Sequence, residues 1–169
     1  MMVCLSRGAA WSNNTFDLVV TSPGVTCPAQ ATATIVTPAS LGNKVWLDNN
    51  MNGQQDVGEQ GLAGVAVELY RSVSGQATGS AIASTVTDQN GNYLFPGLAP
   101  DNYIARFLAP AGSVSAMTDA GDDESDSDSD ADGYTKEYQL ASGDEILSVD
   151  AGYVVLSSIA GKEIGRAHV

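Results

Sequence analysis

The residues with the most chemistry in this chain lie in one short segment. Asp48-Asn-Asn-Met-Asn-Gly-Gln-Gln-Asp-Val-Gly-Glu59 puts acid or amide oxygens at positions 1, 3 and 5 of a twelve-residue loop, as Asp48, Asn50 and Asn52. Gly53 stands at position 6, where such a loop must turn sharply, and Gln54 offers its backbone carbonyl at position 7. Asp56 follows at position 9, and Glu59 at position 12 is long enough to clamp one ion with both oxygens. A large, hard cation takes six to eight oxygens, and alternate side chains of a coiled loop can converge on one point. The pattern predicts a calcium site. An Asn/Gly-rich solvated turn has no reason to fill every ligand slot in order.

A second stretch, Asp119-Ala-Gly-Asp-Asp-Glu-Ser-Asp-Ser-Asp-Ser-Asp-Ala-Asp132, carries eight carboxylates in fourteen residues and no base. Alone it reads as a self-repelling, solvated loop of low complexity. Folding it against a protein surface costs repulsion unless cations neutralise it.

The elements that must position these residues are strands. Leu41-Gly-Asn-Lys-Val-Trp-Leu47 precedes the twelve-residue loop, and Val65, Val67 and Leu69 alternate after it with period two. Neither flank is an amphipathic helix, so the loop ties strand to strand. Residues 81–87 and 92–95 read as strands joined at Asn90-Gly91, a two-residue hairpin signal. Further strands are expected at 103–108, 134–140 and 146–155, with turns at Pro96-Gly97, Pro110-Ala-Gly112 and Ser142-Gly143. About seven short strands and no convincing helical period define an all-β, antiparallel sandwich.

In order along the chain, Ser40-Leu-Gly-Asn-Lys-Val-Trp-Leu-Asp48, the loop through Gly58-Glu59, Gly61-Leu-Ala-Gly-Val65 and Thr87-Asp-Gln-Asn-Gly-Asn-Tyr-Leu-Phe95 are followed by Leu98, Asp101-Asn-Tyr103 and Val149-Asp-Ala-Gly152. This sequence of signposts resembles the SdrD B-like domain, the B-type repeat of bacterial serine-aspartate surface adhesins and a relative of collagen-adhesin B-type domains. The resemblance implies a transthyretin-like or immunoglobulin-like sandwich over residues 38–156, stiffened by calcium, that acts as a spacer in a secreted, cell-surface or wall-attached protein. It implies the same loop ligands, Asp48, Asn50, Asn52, Gln54, Asp56 and Glu59. It also implies an Asp-Ser-Asp-x-Asp element feeding a further calcium site. Asp126, Asp128 and Asp130 fit that element, although Asp128, Asp130 and Asp132 fit nearly as well because the run repeats every two residues. The implied partners are calcium and neighbouring repeats. The alternative is a module whose sandwich itself holds a host matrix protein or a glycan. Exposed aromatics in one patch would favour that alternative, and Trp11, Trp46, Tyr93 and Tyr103 are the residues to inspect.

Composition narrows the function further. The chain has 169 residues with 7 basic and 20 acidic side chains, a net charge of −13. No Lys/Arg cluster is present to meet nucleic-acid phosphate or an anionic membrane. No apolar run approaches the ~20 residues of a membrane span. The sole histidine, His168, lies in Ile164-Gly-Arg-Ala-His-Val169, which resembles a translated sequencing adapter, so histidine-based catalysis is not expected. A Ser/Asp/Gly run is also unlike the dry pocket that a catalytic carboxylic acid needs. Related collagen-adhesin domains sometimes join Lys to Asn or Asp covalently. Lys44 and Asp150 are the pair to weigh here, and Glu68, the acid that would have to lie between them, is expected to face out. Residues 1–37 read as the remnant of a preceding β domain with a linker at Thr37-Pro-Ala39, and residues 157–163 as the start of a following repeat. Cys4 and Cys27 fall in the first of these pieces.

Overall fold

The computed structural model describes residues 36–156 and, as backbone, two antiparallel strands, β1 (Thr15–Val19) and β2 (Gln30–Thr34). Trp11, Cys4, Cys27 and the segment from 157 onward lie outside the described residues. The sandwich is built from β3 (Ala39–Leu47), β4 (Ala66–Val73), β5 (Gln76–Val86), β6 (Asn92–Leu98), β7 (Asp101–Phe107), β8 (Ser113–Ser115), β9 (Tyr138–Leu140), β10 (Glu145–Ile146) and β11 (Ala151–Val155). That is nine strands where periodicity suggests about seven. The extra ones are β8 and β10, two or three residues long and too short to show a period.

Two sheets face each other. One has the order β5-β4-β7-β9, all antiparallel. In the other, β3 is flanked on one side by β6 and on the other by β10 and β11, with β8 beyond β11. The first and last strands run parallel: Val45 pairs with Ala151, and Leu47 with Tyr153. Alternate residues fill the space between the sheets, among them Leu41 and Val45 on β3, Val67 and Leu69 on β4, Phe107 on β7, and Ala151 and Tyr153 on β11. These side chains are essentially inaccessible. Burying each of the large ones contributes roughly 1.5–3 kcal/mol. Tyr93 meets Phe95 and Phe107 edge-on, with ring centroids 5.9 and 5.5 Å apart, a geometry that suits opposed ring quadrupoles.

Two expectations change. The Asn90-Gly91 turn forms, but it is not a hairpin, because β5 pairs with β4 and β6 pairs with β3. The chain changes sheets there. Asp88 holds the turn by accepting the amides of Asn90 at 2.8 Å and Asn92 at 2.9 Å, the side-chain device that lets Asp start a turn. The two-residue hairpin lies instead between β4 and β5. Ser74 and Gly75 both take positive φ, 54° and 76°, as that turn requires. The second change is on β3, where Trp46 is as buried as Val45 although the two point to opposite faces. Trp46 packs against Gly152, where an added Cβ would stand 2.9 Å from both the indole and Ala116. The outer face of this sheet is therefore covered at Trp46, with Gly152 and Ala116 beside it.

Candidate functional site: two acidic loops on one sheet face

The twelve-residue loop leaves β3 and the acid run leaves β8, and both are bonded to the β11 segment through its main chain. Asp48 N–H donates to the Tyr153 carbonyl at 2.9 Å, anchoring the first loop to β11. Asp128 and Asp150 exchange contacts on the same strand: Asp128 N–H reaches the Asp150 carbonyl at 2.9 Å, and Asp150 N–H reaches Asp128 Oδ2 at 2.8 Å. Gly152 N–H donates to Ser127 Oγ at 3.2 Å. The loops are also bonded to each other. Gln55 N–H meets the Ser125 carbonyl at 2.7 Å and Ser127 N–H the Gly53 carbonyl at 3.1 Å, framing an antiparallel bridge between Gln54 and Asp126. In that non-bonded pairing the Gln54 carbonyl is turned away from Asp126, toward its own loop.

Within the first loop Asp48 is buried and organises the turn. Its Oδ1 accepts Met51 N–H at 2.7 Å and Asn52 N–H at 3.3 Å, and its Oδ2 accepts Gly53 N–H at 2.8 Å. Gly53 has φ +77°, and a Cβ there would lie 2.5 Å from the Met117 carbonyl, so glycine is required by both conformation and contact. The amides of Asn50 and Asn52 converge on Asp56 Oδ2 at 2.7 and 2.8 Å. Glu59 spans the loop, accepting Asn49 N–H at 2.8 Å with one oxygen and Asp56 N–H at 3.0 Å with the other. The structure thus gathers Asn50, Asn52 and Asp56 at one point, while Asp48 and Glu59 hold the surrounding backbone. A half-turn of either asparagine amide would present oxygen instead of nitrogen at that point.

The acid run makes a closer cluster. One carboxylate oxygen from each of Asp119, Asp126 and Asp128 lies within 4.8 Å of the other two. Asp126 and Asp128 are each 3% exposed, and Asp126 Oδ1 has no partner although Oδ2 accepts Gly121 N–H at 2.9 Å. A buried carboxylate oxygen without a donor calls for a cation or an unseen donor. Asp128 is served by the Tyr138 hydroxyl at 2.7 Å and the Lys136 ammonium at 3.3 Å on Oδ1. Burial nonetheless pushes its carboxyl up from the usual range. Burial, reinforced by the charge of Asp128, pushes Asp150 up to about 8, against the amides of Lys44 and Asn43 that stabilise its charge.

Asp130 stands apart from this cluster. It is exposed, and its Oδ1 accepts the amides of Asp132 at 2.9 Å and Tyr134 at 2.8 Å, closing the turn at Gly133. Asp132 is exposed as well. Asp119 takes the place in the triad that spacing alone gives to Asp130. It arrives because the chain folds back, with Asp119 N–H on the Ser127 carbonyl at 3.0 Å and Thr118 Oγ1 on the Ser129 carbonyl at 2.7 Å. No local spacing signals that return. Of the Lys44–Asp150 pair, the structure shows Asp150 accepting the Lys44 backbone amide at 2.9 Å and Asn43 Nδ2 at 3.0 Å. Among the described residues no ion pair joins the Lys44 ammonium to it.

Both loops offer only oxygen donors, from carboxylates, amides and a carbonyl, which suits calcium better than softer metals. Asp48, Asn50, Asn52, Gln54, Asp56 and Glu59 would hold one ion, and Asp119, Asp126 and Asp128 another. A bound dication would neutralise the repulsion within each loop.

Among the described residues the fold is a β-sandwich with two acidic loops bonded to its last strand. Residues 39–153 match the SdrD B-like domain, and the chain belongs to that family. The family is structural, not enzymatic. The chain is 39% identical over 114 residues to a fibrinogen-binding protein of Staphylococcus epidermidis, a match covering 68% of this chain and 10% of that protein. It is 37% identical over 114 residues to serine-aspartate repeat-containing protein C of Staphylococcus aureus, covering 68% of this chain and 11% of the relative. The chain thus spans about a tenth of the length of these relatives. Among solved structures, a minor pilin of Streptococcus agalactiae aligns over 89% of this chain and 64% of its own at 12% identity and a TM-score of 0.43.

Proposed function

We propose that residues 38–156 form a calcium-stiffened spacer repeat in an extracellular, secreted or surface-attached adhesin-type protein. The observation that carries this reading is the parallel pairing of β3 with β11. A parallel first and last strand put chain entry at one pole and chain exit at the other. β3, with nine residues, spans roughly 30 Å between them. Successive copies would therefore add length. A pull on the two ends loads the β3–β11 hydrogen bonds side by side instead of one at a time. Calcium at the two loops would lock the segments bonded to β11 of this strand pair.

The binding-module alternative draws less support. Trp46, Tyr93 and Tyr103 are all buried and form no exposed patch. One feature favours it: on the outer face of the other sheet Tyr70 and Tyr134 lie 6.1 Å apart, with the Arg106 guanidinium 4.8 Å from the Tyr134 ring centroid. Tyr and Arg are the side chains that most often anchor interfaces.

Scattering from a tandem protein of two copies separates the readings. The spacer predicts a larger maximum dimension in calcium than in chelator. An unchanged dimension, together with about micromolar binding of a matrix protein or glycan to one copy, would establish the alternative instead.

A further inference from the structure

The acid run has eight carboxylates and, among the described residues, a single protein cation reaching into it. Of the basic residues in 36–156, Arg71 pairs with Asp101, Arg106 pairs with Glu68, and Lys44 meets Asp150 through its backbone. Lys136 alone sits at the cluster. Its ammonium lies 3.3 Å from Asp128 Oδ1, bonds to Asp123 at the rim, and rests 5.5 Å from the Tyr138 ring centroid. The Tyr138 hydroxyl donates to the same Asp128 oxygen. One member of the Asp119–Asp126–Asp128 triad is thus already served by a tethered charge, while the buried Oδ1 of Asp126 beside it is not.

We propose that Lys136 is a built-in counter-cation that competes with calcium for the Asp119–Asp126–Asp128 cluster and sets its affinity. The proposal rests on the reading of that cluster as a cation site. Without metal, the ammonium offsets part of the repulsion in the acid run and keeps the loop seated on β11. When a dication enters, the ammonium repels it and must swing out toward solvent. Its 47% exposed side chain and its partner Asp123, 61% exposed, leave that path open. The site is therefore weaker than its carboxylates alone would make it, and the metal-free loop is less disordered. Affinity is exchanged for order in the empty state.

The test is a calcium titration of the full chain and its Lys136→Met and Lys136→Arg variants by calorimetry, with Asp128→Asn identifying which ion belongs to the acid run. An ammonium kept about 6 Å from a dication in a solvent-screened setting would weaken it roughly tenfold, and swinging out costs no more than that, so Lys136→Met should tighten that ion by up to roughly tenfold. Lys136→Met should also lower the melting temperature in chelator, and Lys136→Arg should stay near the parent in both. If Lys136→Met does not fold without metal, chelator competition from the loaded state gives the same affinity. An unchanged or weaker affinity in Lys136→Met, while Asp128→Asn still removes an ion, overturns the role of Lys136 and leaves the site standing. If Asp128→Asn removes no ion from any of the proteins, the site itself is refuted, and the competitor with it.

Discussion

Asp126→Asn should have opposite effects with and without calcium, and the structure gives both signs. Asp126 Oδ1 is buried and has no donor, and one Asp126 oxygen lies within 4.8 Å of an oxygen of Asp119 and of Asp128. An asparagine can keep the bond from Gly121 N–H with its oxygen and direct its amide protons at Asp119 or Asp128. Satisfying a buried charged acceptor is worth about 1–3 kcal/mol. For a domain of this size that raises the melting temperature in chelator by about 4 °C or more. With calcium the sign reverses, because the ion loses a charged ligand. If the parent site has a dissociation constant a hundredfold below the calcium concentration, its full contribution is about 2.7 kcal/mol. The variant should forfeit most of that increment. Differential scanning calorimetry of parent and variant, each in chelator and in millimolar calcium, reads all four states. A variant that melts below the parent in chelator, or that keeps the parent's calcium increment, refutes the argument that Asp126 is held in waiting for a cation.

Other positions give independent checks. Glu59→Gln keeps the size of the residue that braces Asn49 and Asp56 but removes its charge, and should weaken one ion by roughly tenfold or more, seen by calorimetry. Asp130→Asn should leave the number of bound ions unchanged, because Asp130 closes a turn outside the triad; a lost ion would restore the register that spacing suggests. Gly61→Ala would put a methyl 1.7 Å from the Asn90 carbonyl, and denaturant unfolding should show a loss of about 1–3 kcal/mol or more. Finally, Asp150 has its folded value raised to about 8 from 3.8. Its contribution to stability is complete below the unfolded value and is lost as pH rises through the folded one. Metal-free protein should therefore melt lower at about pH 8.5 than at about pH 6, and calcium should shrink the difference.

What the sequence reveals of this molecule follows the range of the interactions. The twelve-residue loop is legible because its oxygen-bearing side chains fall at regular spacing within twelve consecutive residues, and the alternation at Val65, Val67 and Leu69 marks the core face because that face is built by period two. The acid run is legible only as charge. Its Ser-Asp repeat fixes no register, and the triad is selected by a chain reversal that brings Asp119 back beside Ser127. The hairpin signal at Asn90-Gly91 fails for a related reason: a turn signal specifies local dihedrals, whereas the partner of each flanking strand is decided across the sandwich. Consecutive burial of Val45 and Trp46 breaks strand alternation because Trp46 packs on the other face beside Gly152 and Ala116, and nothing in residues 41–47 announces it.

The acidity is gathered beside the last strand. The segments there are made from Asp, Ser and Asn, bonded to the main chain of Tyr153, Asp150 and Gly152, with Asp126 and Asp128 buried and, among the described residues, one lysine to balance them. Buried carboxylates on this scale are costly unless paired. Cations at these carboxylates would supply the missing charge and firm the segments bonded to β11. Because β11 and β3 join the two ends of the domain, that firmness would bear directly on the axis along which a spacer would carry load.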